Sequence, residues 1–295
     1  MIELAHISDV HLAPLPPFSP LALANKRITG YLHWVTTRKN RLLADTVAEL
    51  VAHLKRANPD LIAVTGDLVN LGLPAEIARA AQWLTSLGEP DKVAVVPGNH
   101  DAYVPGALNR CLAAWGDYAR GERLGEAPFP FIRRKGEVAL VGCSSAVATA
   151  PFFATGRFDE GQADRLEIAL KTLRQEGRFR VVMIHHPPQP EAASFRLGLK
   201  GAEFFRLAIE RAGAELILHG HLHASTVSAL PGPLGDVPVM GGGGPPAAPA
   251  TGESPARYNL FSIEKLPAGF SCVMREYGYQ RIGEEIVMRL ELRLH

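Results

Sequence analysis

The chain has 295 residues, of which 47% are hydrophobic, and its formal net charge is +1. This length allows one large α/β domain or two small ones, and the near-neutral charge gives no reason to expect a nucleic-acid partner. The cysteines Cys111, Cys143 and Cys272 are odd in number and far apart. Their spacing excludes the usual zinc motifs and a disulfide framework, so we expect a reducing compartment.

Five short apolar runs mark the predicted strands. In chain order they are "IELAHIS", "DLIAVTG", "KVAVVPG", "RVVMI" and "ELILHG". Runs rich in Val, Ile and Leu are typical of strands that are buried on both faces of a sheet. The first run follows Met1 without a basic segment or a cleavage site, and no apolar run is long enough to span a bilayer. We therefore expect a cytoplasmic protein.

Helical patterns lie between these strands. Residues 41–56 carry apolar side chains at every third or fourth position, which is the stripe of an amphipathic helix. Asn58 and Pro59 end that helix, because the residue before a proline disfavours helical backbone. Similar patterns predict helices over 75–87, 162–174 and 201–212. The alternation of strands and helices predicts a largely parallel sheet core.

The segment 25–41 is basic and aromatic, and no acidic residue occurs between Asp9 and Asp45. One interpretation is a cap that packs Trp34 on the core. The other is an edge or lid that meets an anionic substrate or lipid headgroups and makes a peripheral membrane contact. The residues on which both interpretations rest are Lys26, Arg27, Tyr31, Leu32, Trp34, Val35, Arg38, Lys39 and Arg41.

The last third of the chain has a different pattern. Residues 241–255 form a loop rich in Gly, Pro and Ala. Residues 256–295 contain segments in which apolar and polar residues alternate, as in half-exposed antiparallel strands. We interpret these strands as a second sheet or an extension of the first, within a single domain that spans residues 1–295. Such strands could also pair across a dimer, and the oligomeric state stays open.

Motifs rich in His and Asp follow the predicted strands. Ligands bind outside the carboxyl ends of strands in α/β sheets, so these motifs would converge. Imidazole and carboxylate groups suit Zn²⁺, Mn²⁺ and Fe, and no thiolate accompanies them. The motifs are "DVH" (Asp9, His11), "GD" (Gly66, Asp67), "GNHD" (98–101), "HH" (His185, His186) and "GHLH" (220–223).

Each motif alone has an ordinary structural explanation. "TGD" can be the exit from a strand in which Asp67 caps a helix, and "GNHD" can be a turn. Together, each after an apolar strand, they instead predict a metal site. Asp9 and His11, at i and i+2 of a strand, would face the same side. The glycines at 66, 98 and 220 would let the backbone turn sharply.

The ordered set D-x-H, G-D, G-N-H-D, H and G-H-x-H resembles that of the calcineurin-like metallophosphoesterases. The match runs from Asp9 to His223, about three quarters of the chain. The resemblance implies an α/β fold, a four-layer αββα sandwich with two mixed β-sheets. It also implies two divalent metal ions at the rim: Mn²⁺, Fe²⁺/Fe³⁺ or Zn²⁺. Compact length, "GNHD" and "HHPP" look most like bacterial class III cyclic-nucleotide phosphodiesterases.

The same resemblance implies which residues would hold the metals. Of the pair "HH", His185 fits better because it directly follows the strand, and His186 would point outward. Asn99 and His186 are also candidates for substrate contact, and an indirect role for His219 stays open. The first metal would be held by Asp9, His11 and His223, the second by Asn99, His185 and His221, and both by Asp67.

A two-metal site implies phosphoryl chemistry, in which a hydroxide that bridges the metals attacks the phosphorus. His100 is the candidate acid for the leaving alkoxide, since it follows Asn99 and would stand beside the metals without binding them. Asp101 would hydrogen-bond the His100 ring and hold its tautomer. The structural alternative for His100 is a hydrogen bond within the turn.

We expect a metal-dependent phosphoesterase that hydrolyses a small phosphodiester similar to a cyclic nucleotide. The segment 25–41 makes a phospholipid or lipid-linked phosphodiester the alternative substrate. The near-neutral charge disfavours a nuclease. The alternative from another class is a non-catalytic metal-binding scaffold that recruits partners. It is disfavoured because every ligand position and His100 are present.

Overall fold

The computed structural model describes residues 1–38, 44–190, 192–244, 256–280 and 284–295. Lys39 and Arg41 of the basic segment lie outside these ranges, as do the first residues of the predicted helix 41–56 and most of the loop 241–255. Within the described ranges, no helix has the length and apolar composition that crossing a bilayer requires.

Six α-helices occur among the described residues, and four of them (α2, α3, α5 and α6) correspond to predicted helices. The helix α1 continues as a short π-helix, Trp34–Arg38. The helix α5 is capped by Asp159, whose carboxylate accepts from the Gln162 N–H at 2.8 Å. The six helices are α1 (Arg27–His33), α2 (Ala44–Arg56), α3 (Pro74–Leu87), α4 (Ala107–Trp115), α5 (Glu160–Gln175) and α6 (Ala202–Ala212).

The described strands form two large sheets and one small one. Their bounds are β1 (Ile2–Ile7), β2 (Leu61–Val64), β3 (Val93–Val95), β4 (Glu122–Arg123), β5 (Phe131–Lys135), β6 (Val138–Gly142), β7 (Gly156–Arg157), β8 (Phe179–Met183), β9 (Leu199–Lys200), β10 (Leu216–His219), β11 (Thr226–Leu230), β12 (Val237–Gly241), β13 (Arg257–Leu266), β14 (Gly269–Tyr279) and β15 (Ile286–Arg293). The first sheet has the order β15-β14-β13-β1-β2-β3 and the second β11-β12-β10-β8-β6-β5-β4, while β7 pairs with β9.

Both large sheets are mixed, as predicted. In the first sheet β1, β2 and β3 are parallel, and in the second β6, β8, β10 and β12 are parallel. The outer strands β5, β11 and β13 pair antiparallel with this parallel core. All five apolar runs of the sequence are parallel strands, namely β1, β2, β3, β8 and β10.

The C-terminal strands extend the first sheet. β13 pairs antiparallel with β1, and β14 and β15 follow in antiparallel order. Of the two interpretations of residues 256–295, the extension is therefore the one that the structure shows.

Three apolar clusters separate the layers. The cluster that includes Leu4, Leu140 and Phe261 lies between the two sheets. A second cluster packs α2, α3 and α4 on the outer face of the first sheet. A third packs α5 and α6 on the outer face of the second sheet. The order helix, sheet, sheet, helix is the predicted four-layer sandwich, and it brings the carboxyl ends of both parallel cores to one edge.

Candidate metal centre

The seven predicted ligands lie together at the edge where the parallel strands of both sheets end. Four come from loops of the first sheet and three from loops of the second. Asp9 and His11 follow β1, Asp67 follows β2, Asn99 follows β3, His185 follows β8, and His221 and His223 follow β10.

Five of these residues have left-handed backbone. Their φ angles are 53° at Asp9, 40° at His11, 56° at Asp67, 73° at His221 and 51° at His223. Asp9 and His11 lie beyond the end of β1, so the prediction that they share one face of a strand is wrong. Left-handed backbone is unfavourable for residues other than glycine, and such strain is concentrated at functional sites.

The glycines of the motifs serve mainly close packing. A Cβ on Gly98 would lie 2.2 Å from Asp67 Oδ1, and a Cβ on Gly220 would lie 2.5 Å from Asp9 Oδ2. Among the three motif glycines, Gly66 alone has a positive φ, 96°. The predicted role in a sharp turn therefore applies to Gly66, whereas Gly98 and Gly220 leave room for the carboxylates.

The first group of ligand atoms belongs to Asp9, His11 and His223, and these atoms lie within 4.8 Å of one another. His223 Nε2 is 3.2 Å from His11 Nε2 and 3.4 Å from Asp9 Oδ1. His11 Nδ1 donates to the Val69 carbonyl, so His11 Nε2 presents a lone pair. Asp9 Oδ1 is buried and accepts no hydrogen bond from the described residues.

The second group surrounds Asn99. Its Oδ1 is 3.1 Å from His185 Nε2 and 2.9 Å from His221 Nδ1. The other nitrogens of these rings donate to the carbonyls of Thr65 and Leu197. Two imidazole nitrogens therefore converge on a carbonyl oxygen. When both rings are neutral these nitrogens carry lone pairs, and a cation between the three atoms would make the arrangement favourable.

Asp67 lies between the two groups. Its Oδ2 is 3.8 Å from His11 Nε2 and 3.4 Å from His185 Nε2. Its Oδ1 accepts from the His100 N–H at 2.7 Å. The carboxylate therefore faces both groups and is held in place by the backbone of the next motif.

The electrostatics of the cluster favour positive charge. Burial opposes ionisation of Asp67, but His185 and His100 hold the pKa of that carboxyl well below its usual range. Burial also lowers the pKa of His185, yet Asp67 and Asp9 outweigh it and raise the pKa to about 9. Burial and His185 lower the pKa of His221 to about 4, so its lone pair stays available at neutral pH. The donor set of carboxylate oxygens, an amide oxygen and imidazole nitrogens fits divalent transition metals.

His100 stands at the rim of this cluster. Its ring is perpendicular to that of His11, with centres 4.7 Å apart, and stacks on the Tyr103 ring at 5.4 Å. Its Nδ1 donates to the Asn70 carbonyl at 2.6 Å, so Nε2 is the nitrogen that would carry the second proton of an imidazolium. A ligand atom of His100 also lies within 4.8 Å of those of His11 and Asp67.

A buried carboxylate fixes the carbonyl that holds His100. Glu76 accepts from the backbone N–H groups of Asn70, Leu71 and Leu73 at 2.8 to 3.0 Å. These bonds hold the loop between β2 and α3 against the first turn of α3. The sequence analysis did not single out Glu76, because only its spacing from Leu73 marks it, and a Glu in the first turn of a helix is common.

A cavity of about 330 Å³ lies beside Asn99 and His100. One face of α1 and its π-helical continuation lines this cavity, and so do Phe152, Phe153 and Leu197. The lining residues on that face are Lys26, Thr29, Gly30, His33 and Trp34. The described part of the basic segment therefore borders the site, while Trp34, only 8% exposed, also packs as a cap would.

Lys26 brings a positive charge to this cavity. Its Nζ donates to Thr149 Oγ1 at 2.7 Å and to the Phe153 carbonyl at 3.1 Å, and it lies 4.7 Å from the centre of the Tyr103 ring. Burial lowers the pKa of Lys26 to about 8, so the ammonium form still predominates at pH 7.

A family model described as calcineurin-like phosphoesterase matches residues 2–225. The chain belongs to this family. The matched region contains all seven predicted ligands and every strand of the two parallel sheet cores except β12. Members of the family use a dinuclear centre of divalent metals, and the two groups of facing acceptors in this chain agree with that requirement.

Two curated relatives are named as phosphodiesterases. A probable cyclic nucleotide phosphodiesterase from Synechococcus is 27% identical over 184 residues, which are 61% of this chain and 64% of the relative. A glycerophosphodiester phosphodiesterase from Enterobacter lignolyticus is 36% identical over 98 residues, 33% of this chain and 29% of the relative. The chain thus matches less than two thirds of either relative's length.

Two solved structures share the fold of this family member. A dimetal phosphatase from Danio rerio has a TM-score of 0.60 at 14% identity and covers 97% of this chain and 98% of its own. A purple acid phosphatase from yellow lupin seeds has a TM-score of 0.56 at 13% identity, with 94% of this chain and 51% of its own covered. At these identities the likeness supports the fold alone.

Asp101 does not have the predicted partner. Its carboxylate accepts from the backbone N–H groups of Asp67, Leu68, Val69 and Gly98 at 2.8 to 3.3 Å. The prediction that Asp101 orients the His100 ring is therefore corrected, since the Asn70 carbonyl has that place. Asp101 instead ties the loop after β2 to the loop after β3, and so places two ligand motifs side by side.

His186 does not point outward, as the sequence analysis expected. It is fully buried, and its Nε2 donates to the Ala154 carbonyl while its Nδ1 accepts from Ser145 Oγ. With both ring nitrogens engaged, His186 offers no contact to a substrate. The neighbouring histidine His219 is also buried, donating from Nδ1 to the Gly220 carbonyl and accepting from Thr226.

We expect Asp101→Ala to lower the free energy of unfolding by about 3 kcal/mol or more, because four buried N–H groups lose their acceptor. Asp101→Asn should cost less, since one acceptor oxygen remains. Chemical denaturation of both variants, monitored by circular dichroism, measures this difference. An Asp101→Ala protein of wild-type stability with an altered pH profile of turnover would instead support the orienting role.

Proposed function

We propose that the protein is a two-metal phosphodiesterase. The observation that carries this proposal is the convergence of His185 Nε2 and His221 Nδ1 on Asn99 Oδ1, beside the Asp67 carboxylate. In this proposal Asp9, His11 and His223 hold one divalent ion, Asn99, His185 and His221 hold the other, and Asp67 contacts both.

Two divalent ions bound there would supply Lewis acidity for the phosphoryl oxygens and lower the pKa of the attacking water. The chain's own contribution is position. Carbonyls of Val69, Thr65 and Leu197 fix the rings of His11, His185 and His221, so the inward nitrogen is the unprotonated one in the neutral form of each ring.

His100 is the proposed acid for the leaving group. Because the Asn70 carbonyl accepts from Nδ1, the second proton of a His100 imidazolium resides on Nε2. Transfer of that proton to the leaving oxygen produces an alcohol and a neutral ring that keeps its bond to Asn70. Stacking on Tyr103 holds the plane of the ring during this transfer.

A small phosphodiester, similar to a cyclic nucleotide, is the first substrate candidate. Both curated relatives carry phosphodiesterase names. The cavity of about 330 Å³ beside His100 is at the lower end of small-molecule sites and is large enough for the part of a diester that is not hydrolysed. Lys26 would face that part with a positive charge.

A lipid-linked phosphodiester is the second candidate, and a specific observation favours it. The lining of the cavity includes the apolar side chains of Phe152, Phe153, Leu197 and Trp34. A purely polar substrate would leave most of this lining unused.

The proposed function is tested with a panel of phosphodiesters and the metal-loaded protein. Bis-p-nitrophenyl phosphate, cyclic nucleotides, glycerophosphodiesters and phospholipids in detergent should be compared with Mn²⁺, Fe²⁺ and Zn²⁺. We expect hydrolysis of bis-p-nitrophenyl phosphate and selective turnover of one natural class. Bound metal without hydrolysis of any diester would instead support the scaffold alternative.

Replacing His100 with Ala should leave the metal content unchanged and slow turnover by about 10²- to 10⁴-fold, the range typical of a lost general acid. The loss should be largest for alkyl leaving groups and smallest for p-nitrophenolate, which needs little protonation. Metal analysis and turnover of both kinds of substrate measure the two effects. A parallel fall in metal content would make His100 a ligand.

Asp67→Ala should lose both ions, because this carboxylate faces both groups of ligands. Metal content after gel filtration, measured by plasma mass spectrometry, checks this expectation. The matched control is Asp91→Ala, which removes an exposed carboxylate that pairs with Lys135 far from the site. Two ions per chain in Asp67→Ala would contradict the bridging role.

A further inference from the structure

Arg27 is a buried cation at the start of α1, and it is only 8% exposed. Its Nε donates to the Leu71 carbonyl at 2.9 Å, and its Nη2 donates to the Gly72 carbonyl at 2.7 Å. Because the guanidinium is a planar fork, these two bonds together fix the positions of both carbonyls. Burial of a charge is unfavourable unless such bonds replace the lost water. Arg27 therefore fastens α1 to the loop after β2.

The loop that Arg27 binds is the loop that orients His100. Asn70 directly precedes Leu71, and its carbonyl accepts from His100 Nδ1 at 2.6 Å. On the other side of this backbone, Glu76 accepts from the N–H groups of Asn70 and Leu71 at 2.8 and 3.0 Å. The guanidinium thus binds carbonyls of the loop, and the carboxylate binds its N–H groups. The Asn70 carbonyl therefore lies on backbone that is held by a cation as well as by an anion.

A second contact of α1 reaches His100 through Tyr103. The two rings are stacked, with centres 5.4 Å apart and planes inclined by 20°. Gly30 of α1 packs against the hydroxyl end of Tyr103, so that a Cβ at this position would collide with it and would lie 2.8 Å from Leu71 Cδ2. Glycine is a poor helix former, and a glycine inside a helix commonly has a packing reason. Here the reason is the close approach of the Tyr103 ring.

We propose that Arg27 and Gly30 position the His100 ring for proton transfer, Arg27 through the Asn70 carbonyl and Gly30 through the Tyr103 ring. The proposal rests on the proposed function, in which His100 protonates the leaving group. Arg27 is a positioning residue, because its hydrogen bonds go to the loop and not to the reacting atoms. This role accounts for one basic residue of the segment 25–41 without an anionic lipid or substrate.

The variants Arg27→Ala and Gly30→Ala test the two contacts separately. Metal-loaded protein is assayed with bis-p-nitrophenyl phosphate, whose leaving group needs little protonation, and with glycerophosphoethanolamine and cyclic AMP, whose leaving groups are alkoxides. A displacement of the acid by about 1 Å should lower kcat for an alkoxide leaving group by about 10²-fold. The metal content and kcat for p-nitrophenolate should stay close to those of the wild type. Added guanidinium ions should restore part of the activity of Arg27→Ala, because they fit the space that the side chain leaves.

Each variant has a matched control on α5. Arg165→Ala removes another arginine that donates to a loop carbonyl, that of Phe129, at 3.1 Å. Gly161→Ala adds a Cβ whose nearest neighbours would lie at 3.4 and 3.6 Å, which is ordinary contact. Neither control should change the dependence of kcat on the leaving group. Thermal unfolding of all four variants verifies that they fold.

The His100 ring is also observed without turnover. Long-range ¹H–¹⁵N spectra of Zn²⁺-loaded protein with labelled histidine report the tautomer, and His100→Ala assigns the signals. We expect the proton on Nδ1 in the wild type, shifted His100 signals in Arg27→Ala and Gly30→Ala, and unchanged signals in both controls. Unchanged His100 signals in the two test variants overturn the proposal.

Turnover separates this proposal from the proposed function. If kcat of Arg27→Ala and Gly30→Ala falls equally for both kinds of leaving group, or falls for neither while His100→Ala loses the alkoxide substrates, the positioning role is overturned. Shifted signals combined with full turnover by His100→Ala contradict the acid role of His100 and leave the positioning of its ring supported. If the wild type hydrolyses no diester, the proposed function fails and the spectra alone decide on the positioning.

Discussion

Groups that accept hydrogen bonds are crowded together where the two sheets end, and much of the surrounding structure is organised by that crowding. Two buried carboxylates, an amide oxygen and several imidazole nitrogens repel one another unless positive charge lies among them. The left-handed backbone at Asp9, Asp67 and His221 holds them in this arrangement. Gly98 and Gly220 leave room for the carboxylate oxygens, because a side chain at either position would collide with them. Each of these features is unfavourable by itself, and a bound cation would compensate for the repulsion between the acceptor groups.

The rings of the site are oriented mainly by backbone carbonyls. Val69, Thr65 and Leu197 each accept from one ring nitrogen of a proposed ligand, and Asn70 accepts from His100. A carbonyl is a rigid acceptor whose position depends on the fold, so tautomer and ring orientation are set before a substrate arrives. Buried Glu76 and Asp101 then hold the loop after β2, which carries the carbonyls of Thr65, Val69 and Asn70. The geometry of the site therefore depends on how firmly the loops after β2 and β3 are held.

The parts of the structure that were predictable from the sequence are those with a strong local signal. Runs such as "DLIAVTG" are too rich in β-branched residues for most helices, and all five are parallel strands. The ordered motifs identified the family and the residues that meet at the rim. Roles that depend on direction were not predictable: Asp101 adjoins His100 in sequence, yet its oxygens turn to the backbone of another loop. The prediction that His186 points outward was wrong for the same reason. The carbonyl contacts carry no sequence motif, because a backbone carbonyl is the same at every position. The helix α4 was also not predicted from the sequence.

The origin of the ligands in two different sheets has a consequence for the whole molecule. Asp9, Asp67 and Asn99 extend from one sheet, whereas His185, His221 and His223 extend from the other, and the apolar layer around Phe261 fills the space between the sheets. A pair of metal ions bound here would link the two sheets, so metal binding would also stabilise the packing of one sheet on the other. By thermodynamic linkage the effect is reciprocal, so tighter packing of the two sheets would also strengthen metal binding. A substitution in the core that moves the sheets apart would weaken metal affinity although it changes no ligand. The hydrophobic core between the sheets thus helps to determine how tightly the site binds metal.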